Sequence, residues 1–304
     1  MSSLRGSIPT ALRKRTRASE LPGDRDTEWA DPAARIDSRV AVHRLKLPWL
    51  IAVDGSVLLI FLALWQWLPE VPGARSAAAW LNPFYISSPI RVAKELAYLF
   101  AGTHGQILIW PYLGATLKST AIGFAIGLVA GCGLGLILSN APRLNQVANP
   151  IIIALNSVPR IALIPVIVIV AGPTAAANVV CCALVVFIVV FFNALAGGAN
   201  VASEVVANGV LLGASNVAIM RYVRSPAVIM WTFAAMPNAI SFGLLTVVTT
   251  EVLTGINGMG SLILAALNSI DSNLCMAVAV LLGAIGLILN GLAVLLRRRV
   301  LRWQ

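Results

Sequence analysis

Charge is what this 304-residue chain most lacks: Asp, Glu, Lys and Arg make up 11% of it, against 59% hydrophobic residues. A soluble domain carries roughly twice that share of charge. So few polar groups cannot cover a globule in water, so lipid must supply much of the solvent. The mean hydropathy of +0.87 agrees. Histidine is scarcer still: His43 and His104 are the two, and both fall outside the long apolar runs. That removes HExxH zinc hydrolysis and a histidine base for an intramembrane serine. No paired carboxylates stand in the apolar runs either, so a membrane enzyme is disfavoured. Cys132, Cys181, Cys182 and Cys275 lie in apolar runs without CxxC spacing, which reads as packed, reduced thiols. A cleavable signal peptide is not expected, because the first long apolar run starts near Leu47.

The charge that is present is unevenly placed. Residues 1–46 hold ten Lys and Arg, among them Arg13, Lys14, Arg15 and Arg17, beside six acids. With little apolar periodicity, this segment reads as a disordered basic cytosolic tail that meets anionic lipid rather than nucleic acid. Six apolar stretches of about twenty residues follow, the length that crosses a bilayer. They lie near 47–68, 114–138, 150–171, 176–197, 227–250 and 274–296, with a kink expected at Pro165. With both termini in the cytosol, the inner side collects the tail, Arg143, Arg160, Arg221, Arg224, Arg297, Arg298, Arg299 and Arg302. The outer side keeps Arg75, Arg91, Lys94 and Lys118, which is the positive-inside pattern. On this count no cation lies deep in a span. Trp65, Trp67, Trp80 and Trp110 fall near the expected interfaces.

The expected organisation is therefore a tail (1–46), a first transmembrane helix (47–68) and an external connection (69–111). A core of five transmembrane helices (112–296) and a basic cytosolic tail (297–304) complete it. The first connection should hold an amphipathic helix capped at Ser88. A second, at 252–273, is Gly-rich at Gly255, Gly258 and Gly260 before a short apolar helix. Inside the core, Gly123, Gly127, Gly131 and Gly135 recur every four residues, so they share a face on which another helix can approach closely. The stretch GATLKST at Gly114–Thr120 is not a phosphate loop, because Leu117 stands where glycine must precede the lysine. Asp54 and Glu251 are costly charges that need partners or water, and Lys118 can snorkel outward. Between the fourth and fifth stretches, Val201–Val228 reads as a helical loop broken at Pro226, either a connection or a docking element.

That loop carries a resemblance. The permease subunits of ABC importers share the pattern EAA-x3-G-x9-I-x-L-P. Gly213 fits its glycine and Pro226, thirteen residues on, its proline, with Val223 at the isoleucine. The chain resembles most the nitrate/sulfonate/taurine group. The run NSVPRIALIPVIVIVAG from Asn156 to Gly172, then Asn193 and Gly197, then Glu251 with GINGMGSLI from Gly255, follow that group's order. The resemblance implies an all-α, six-helix permease of the type I importer fold. It implies a second permease subunit, two cytosolic ATPases holding ATP and Mg, an external solute-binding protein, and no cofactor in this chain. The cargo would be a sulfonate, taurine, nitrate or related small organic molecule, moved by alternating access. The alternative is a passive channel or scaffold. Two sets of residues would carry the work. The ATPase-coupling loop would use Glu204, Ala207, Asn208, Gly209, Gly213, Arg221, Arg224 and Pro226. The pathway would draw on Asn156, Ser157, Asn238, Thr249, Thr250 and Glu251. The chain departs from the pattern at Ala207, Asn208 and Gly209, where the acidic head should stand, and at Ser225 before the proline. Glu204, Arg221 or Arg224 would remake the contact, or an unequal partner permease would supply it.

Overall fold

The computed structural model describes residues 47–67, 86–102 and 108–300. The expected tails at 1–46 and beyond 300 lie outside the described residues, with 68–85, 103–107 and the side chains of Asp54, Asn156 and Arg160. Every regular element described is helical. In chain order these are α1 (Leu47–Trp67), α2 (Pro89–Ala101), α3 (Ile109–Asn140), α4 (Pro142–Ser157), α5 (Leu163–Ala171) and α6 (Ala175–Ala199). Then come α7 (Ser203–Leu211), α8 (Asn216–Ile219), α9 (Ser225–Thr254), α10 (Met259–Ser269) and α11 (Ser272–Val300). The chain divides into two compact units at Leu59/Ile60. Of the first, only the opening turns of α1 are described, where the Ser56 hydroxyl donates to the Val53 carbonyl at 2.8 Å.

Four stretches among the described residues are long and apolar enough to cross a membrane: Ile109–Asn140, Ala175–Ala199, Asn216–Thr254 and Ser272–Arg299. They coincide with the stretches expected at 114–138, 176–197, 227–250 and 274–296. The stretch at 150–171 is different. Instead of one span kinked at Pro165, it is two short helices, α4 and α5, joined by Val158-Pro159 and a 3-10 turn at Arg160–Ala162. Pro159 biases Val158 out of the helical region, and Val158 is extended, with φ −75° and ψ 127°. Pro165 sits in the first turn of α5, where its missing N–H has no carbonyl to reach.

The four recurrent glycines set the packing of α3 on α6. A Cβ on Gly123 would meet the Val179 carbonyl, on Gly127 that of Ala183, on Gly131 that of Phe187 and on Gly135 that of Phe191. Both series climb together by fours, so α3 and α6 run parallel with their backbones in contact. The segment 141–174 must therefore carry the chain back, and α4 and α5 do so jointly. α9 runs antiparallel to α6, since Gly197 faces Trp231 while Gly243 faces Val186 and Cys182. Asn290 donates to Ser241 at 3.1 Å, and Gly286 approaches Leu244, so α11 runs antiparallel to α9. Cys182, Val186, Val190, Ala239 and Val247 fill the space between.

This path gives the second unit two ends. α3, α6 and α11 finish at one, where α7 and α8 lie with Arg143, Arg221, Arg224 and Arg297–Arg299. At the other, α2 buries Val92, Glu95 and Leu99 on one face. There Val92 and Leu99 meet Ile109, Met259, Leu262, Ala266, Leu274, Ala277 and Val278. Ser88 stands at the start of α2 as expected, but its hydroxyl caps nothing. The neighbouring Ser87 hydroxyl instead donates to Asn273 at 2.6 Å. Asp271 caps α11, accepting from the Asn273 and Leu274 amides at 3.0 and 3.1 Å.

Candidate functional site

Glu251 is the most enclosed charged group described, 0% exposed near the C-terminus of α9. Four helices enclose it. From α3, the Thr116 hydroxyl lies 2.9 Å from both carboxylate oxygens. From α10, the Gly260 amide donates at 2.9 Å. From α6, the Asn178 amide donates at 3.4 Å. The Met259 amide donates to the Thr116 oxygen at 2.8 Å. Met259 and Gly260 open α10, so their amides would be orphans without these acceptors, and the carboxylate complements the positive end of that helix. The glycine-rich turn has its reason here. A Cβ on Gly258 would strike the Glu251 carboxylate, and one on Gly260 the Val248 carbonyl. The arrangement satisfies a buried charge with donors and fastens α10 to the bundle.

The residues expected along a pathway separate into two groups. Thr250 and Glu251 turn inward and are fully buried, because successive helical residues point about 100° apart. The Thr250 hydroxyl donates to the Thr246 carbonyl of its own helix at 2.8 Å. Asn238 is exposed and Thr249 half-buried on the open side of α9. With Phe242 and Leu245 they form one stripe at helical spacing. Ser157 comes to the same side. It lines a cavity of ≈ 400 Å³ with Val158, Pro159, Val185, Phe242 and Thr246. The interrupted backbone between α4 and α5 thus lies level with the middle of α6. Arg160 is part of that interruption, not of a loop at the bundle's end as the charge count had it.

The loop from Val201 to Val228 forms the other candidate surface. α7 has no buried residue. Glu204 lies exposed in its first turn, and Ala207 and Asn208 are exposed, while Gly209 is half-buried. Gly213 ends it with φ +83°. Its amide bonds the Val210 carbonyl, and the Ala214 amide that of Gly209, both at 2.9 Å, a Schellman closure. Just before that turn, Leu211 and Leu212 are 83% and 88% exposed. Pro226 does not break the chain as expected. A π turn at Met220–Arg224 precedes it, and Asn216–Thr254 continues as one rod. The wider turn accommodates a ring that would clash with an α-helical carbonyl. Arg221 is exposed, its guanidinium 5.7 Å from the Tyr222 ring centre. Arg224 turns in and donates to the Ser139 carbonyl at 2.9 Å.

Thr116, Asn178 and Ser139 were not singled out from sequence. Asn178, one of two amides with Asn193 in a long apolar run, is the available signal, since polar residues in spans need partners.

The profile of the family described as "binding-protein-dependent transport system inner membrane component" matches residues 123–302. Among curated proteins, the chain is similar to the nitrate import permease protein of Leptolyngbya laminosa, 26% identical over 70% of this chain and 78% of that one. It is similar to the riboflavin transport system permease protein of Chloroflexus aurantiacus, 26% identical over 90% and 97% of the two chains. The taurine transport system permease protein of Escherichia coli is 22% identical over 88% and 97%.

Proposed function

The chain belongs to the family of binding-protein-dependent transport system inner membrane components, and from that premise we propose that it is the membrane-spanning permease of an ATP-driven importer for a small solute. α1 and the α4–α5 pair join the four long helices to make six crossings. Both termini and the arginine-rich end face the cytosol, in keeping with the charge bias. α7 and α8 receive the ATPase subunits, which hold ATP and Mg, and an external binding protein delivers cargo to the other end. A second permease subunit, identical or different, completes the pathway.

The observation that carries this reading is α7: a nine-residue helix with no buried residue, ending in two leucines that its own chain leaves bare. Apolar side chains outside the spans gain from a protein partner that removes them from water. In this chain Leu211 and Leu212 take the weight that an acidic head would carry. The pathway runs along the Asn238–Thr249 stripe of α9 and the α4–α5 interruption, with Ser157 and Asn156 beside it. Irregular backbone at membrane depth is tolerated where it lines a cavity, and interrupted helices mark transport sites. Sulfonate, taurine, nitrate and related small organic molecules are the cargo class, in line with the named relatives.

Co-purification tests it. The chain should bring down an ATPase, and Leu212→Asp should abolish that association while the permease still inserts. Passive solute flux through the purified chain, with no ATPase bound, would favour a channel instead.

A further inference from the structure

The loop that receives the ATPase is attached to its own bundle by very little. Two cavities, ≈ 410 and ≈ 330 Å³, lie beside it. Val206 of α7 borders both, and so does Arg224. A push on α7 across such hollows would be absorbed unless something rigid bridges them.

We infer that Arg224 is that bridge: a positioning residue that carries displacement of the α7–α8 loop into α3 through its guanidinium contact with Ser139. The inference rests on the coupling role proposed above. Its Nη1 donates to the Ser139 carbonyl at 2.9 Å and reaches the Asn140 side-chain oxygen at 3.4 Å. These groups sit at the C-terminus of α3, where carbonyls lack helical partners and a cation complements the dipole. Ser139 is wedged from the other side as well: a Cβ on Gly198 of α6 would overlap its side chain. Whatever moves Ser139 therefore bears on α3 and α6 together, which the glycine seam already holds in register.

The π turn gives Arg224 its direction. In an α-helix, residues three apart share a face, so Arg221 and Arg224 would point the same way. The Ser225 amide instead reaches back to the Met220 carbonyl. That wider turn separates the two: Arg221 stays outside over Tyr222 and Arg224 turns under the loop. One distortion thus lets Pro226 pass and aims the bridge.

The test uses the full importer, with its ATPases and external binding protein, in proteoliposomes. Spin labels are placed at Ala202, exposed at the start of α7, and at Ile137 through an unnatural amino acid, and the distance between them is measured without nucleotide and after ATP–vanadate trapping. With Arg224 present, the loop and α3 move together, so trapping leaves the distance unchanged. In Arg224→Ala the loop moves alone and trapping shifts the distance. ATPase stimulation by the binding protein falls roughly threefold to thirtyfold, the range of coupling changes from single residues. Arg224→Lys, which keeps one donor, recovers part of both, and Arg143→Ala, at an exposed arginine of the same end, changes neither. An Arg224→Ala or Arg224→Lys complex that assembles and shows the unsubstituted chain's distances and stimulation overturns the inference alone. Failure of the unsubstituted chain to bind an ATPase overturns the coupling reading and this one with it.

Discussion

The Thr116 hydroxyl and the Glu251 carboxylate, 135 positions apart in sequence, meet at 2.9 Å on both carboxylate oxygens. The same hydroxyl accepts the Met259 amide, so one oxygen joins α3, α9 and α10. Thr116→Val keeps the shape and removes both bonds. It should lower stability by about 1–3 kcal/mol, the cost of leaving buried polar groups unpaired, read as a fall in melting temperature in detergent. Thr116→Ser, which keeps the hydroxyl, should recover most of that loss. Equal melting of Thr116→Val and the unsubstituted chain would mean that the hydroxyl holds nothing.

Glycine positions on α3 offer an internal control. A Cβ on Gly127 would lie 2.6 Å from the Ala183 carbonyl oxygen, whereas one on Gly133 meets nothing within 4 Å. Gly127→Ala should cost about 1–3 kcal/mol by overpacking. Gly133→Ala should be neutral or slightly stabilising, because alanine is the better helix former. Thermal unfolding of the pair separates seam packing from propensity.

At Gly213 the constraint is conformational rather than spatial. Its φ is +83° and a Cβ would meet nothing. Gly213→Ala should therefore insert and melt normally but disfavour the Schellman turn by about 1–2 kcal/mol. ATPase stimulation by the binding protein is the sensitive readout and should drop. Full stimulation would show that the turn is not needed in this form.

Along the open stripe of α9, single cysteines at Asn238, Phe242, Leu245 and Thr249 should react with a membrane-impermeant thiol reagent in one transport state and be shielded in the other. A cysteine at buried Thr250 should stay unreactive in both. Uniform reactivity across all five positions would remove the stripe from the pathway.

How much of this was legible beforehand varies with the range of the physics involved. Apolar length gave the four long helices, and a period of four gave the glycine face, because both are properties of one segment. Pro159 and Pro165 stand in the same segment, but a span drawn by hydropathy averages over them, and only backbone position shows that Pro159 interrupts while Pro165 is harmless. Glu251 could be flagged as costly, yet its partners Thr116 and Asn178 come from distant helices, and no spacing announces them. The opposite roles of Arg221 and Arg224 hang on a π turn that leaves no pattern in sequence.

The parallel seam of α3 and α6 also orders the birth of the molecule. α3 leaves the ribosome with its glycine face bare, and the surface that fills it is made only after α4 and α5 have been synthesised. During that interval the exposed groove must be held by lipid or by the insertion machinery. Substitutions along Gly123–Gly135 would then show first in yield, as chains lost before assembly, and only afterwards in the stability of those that survive.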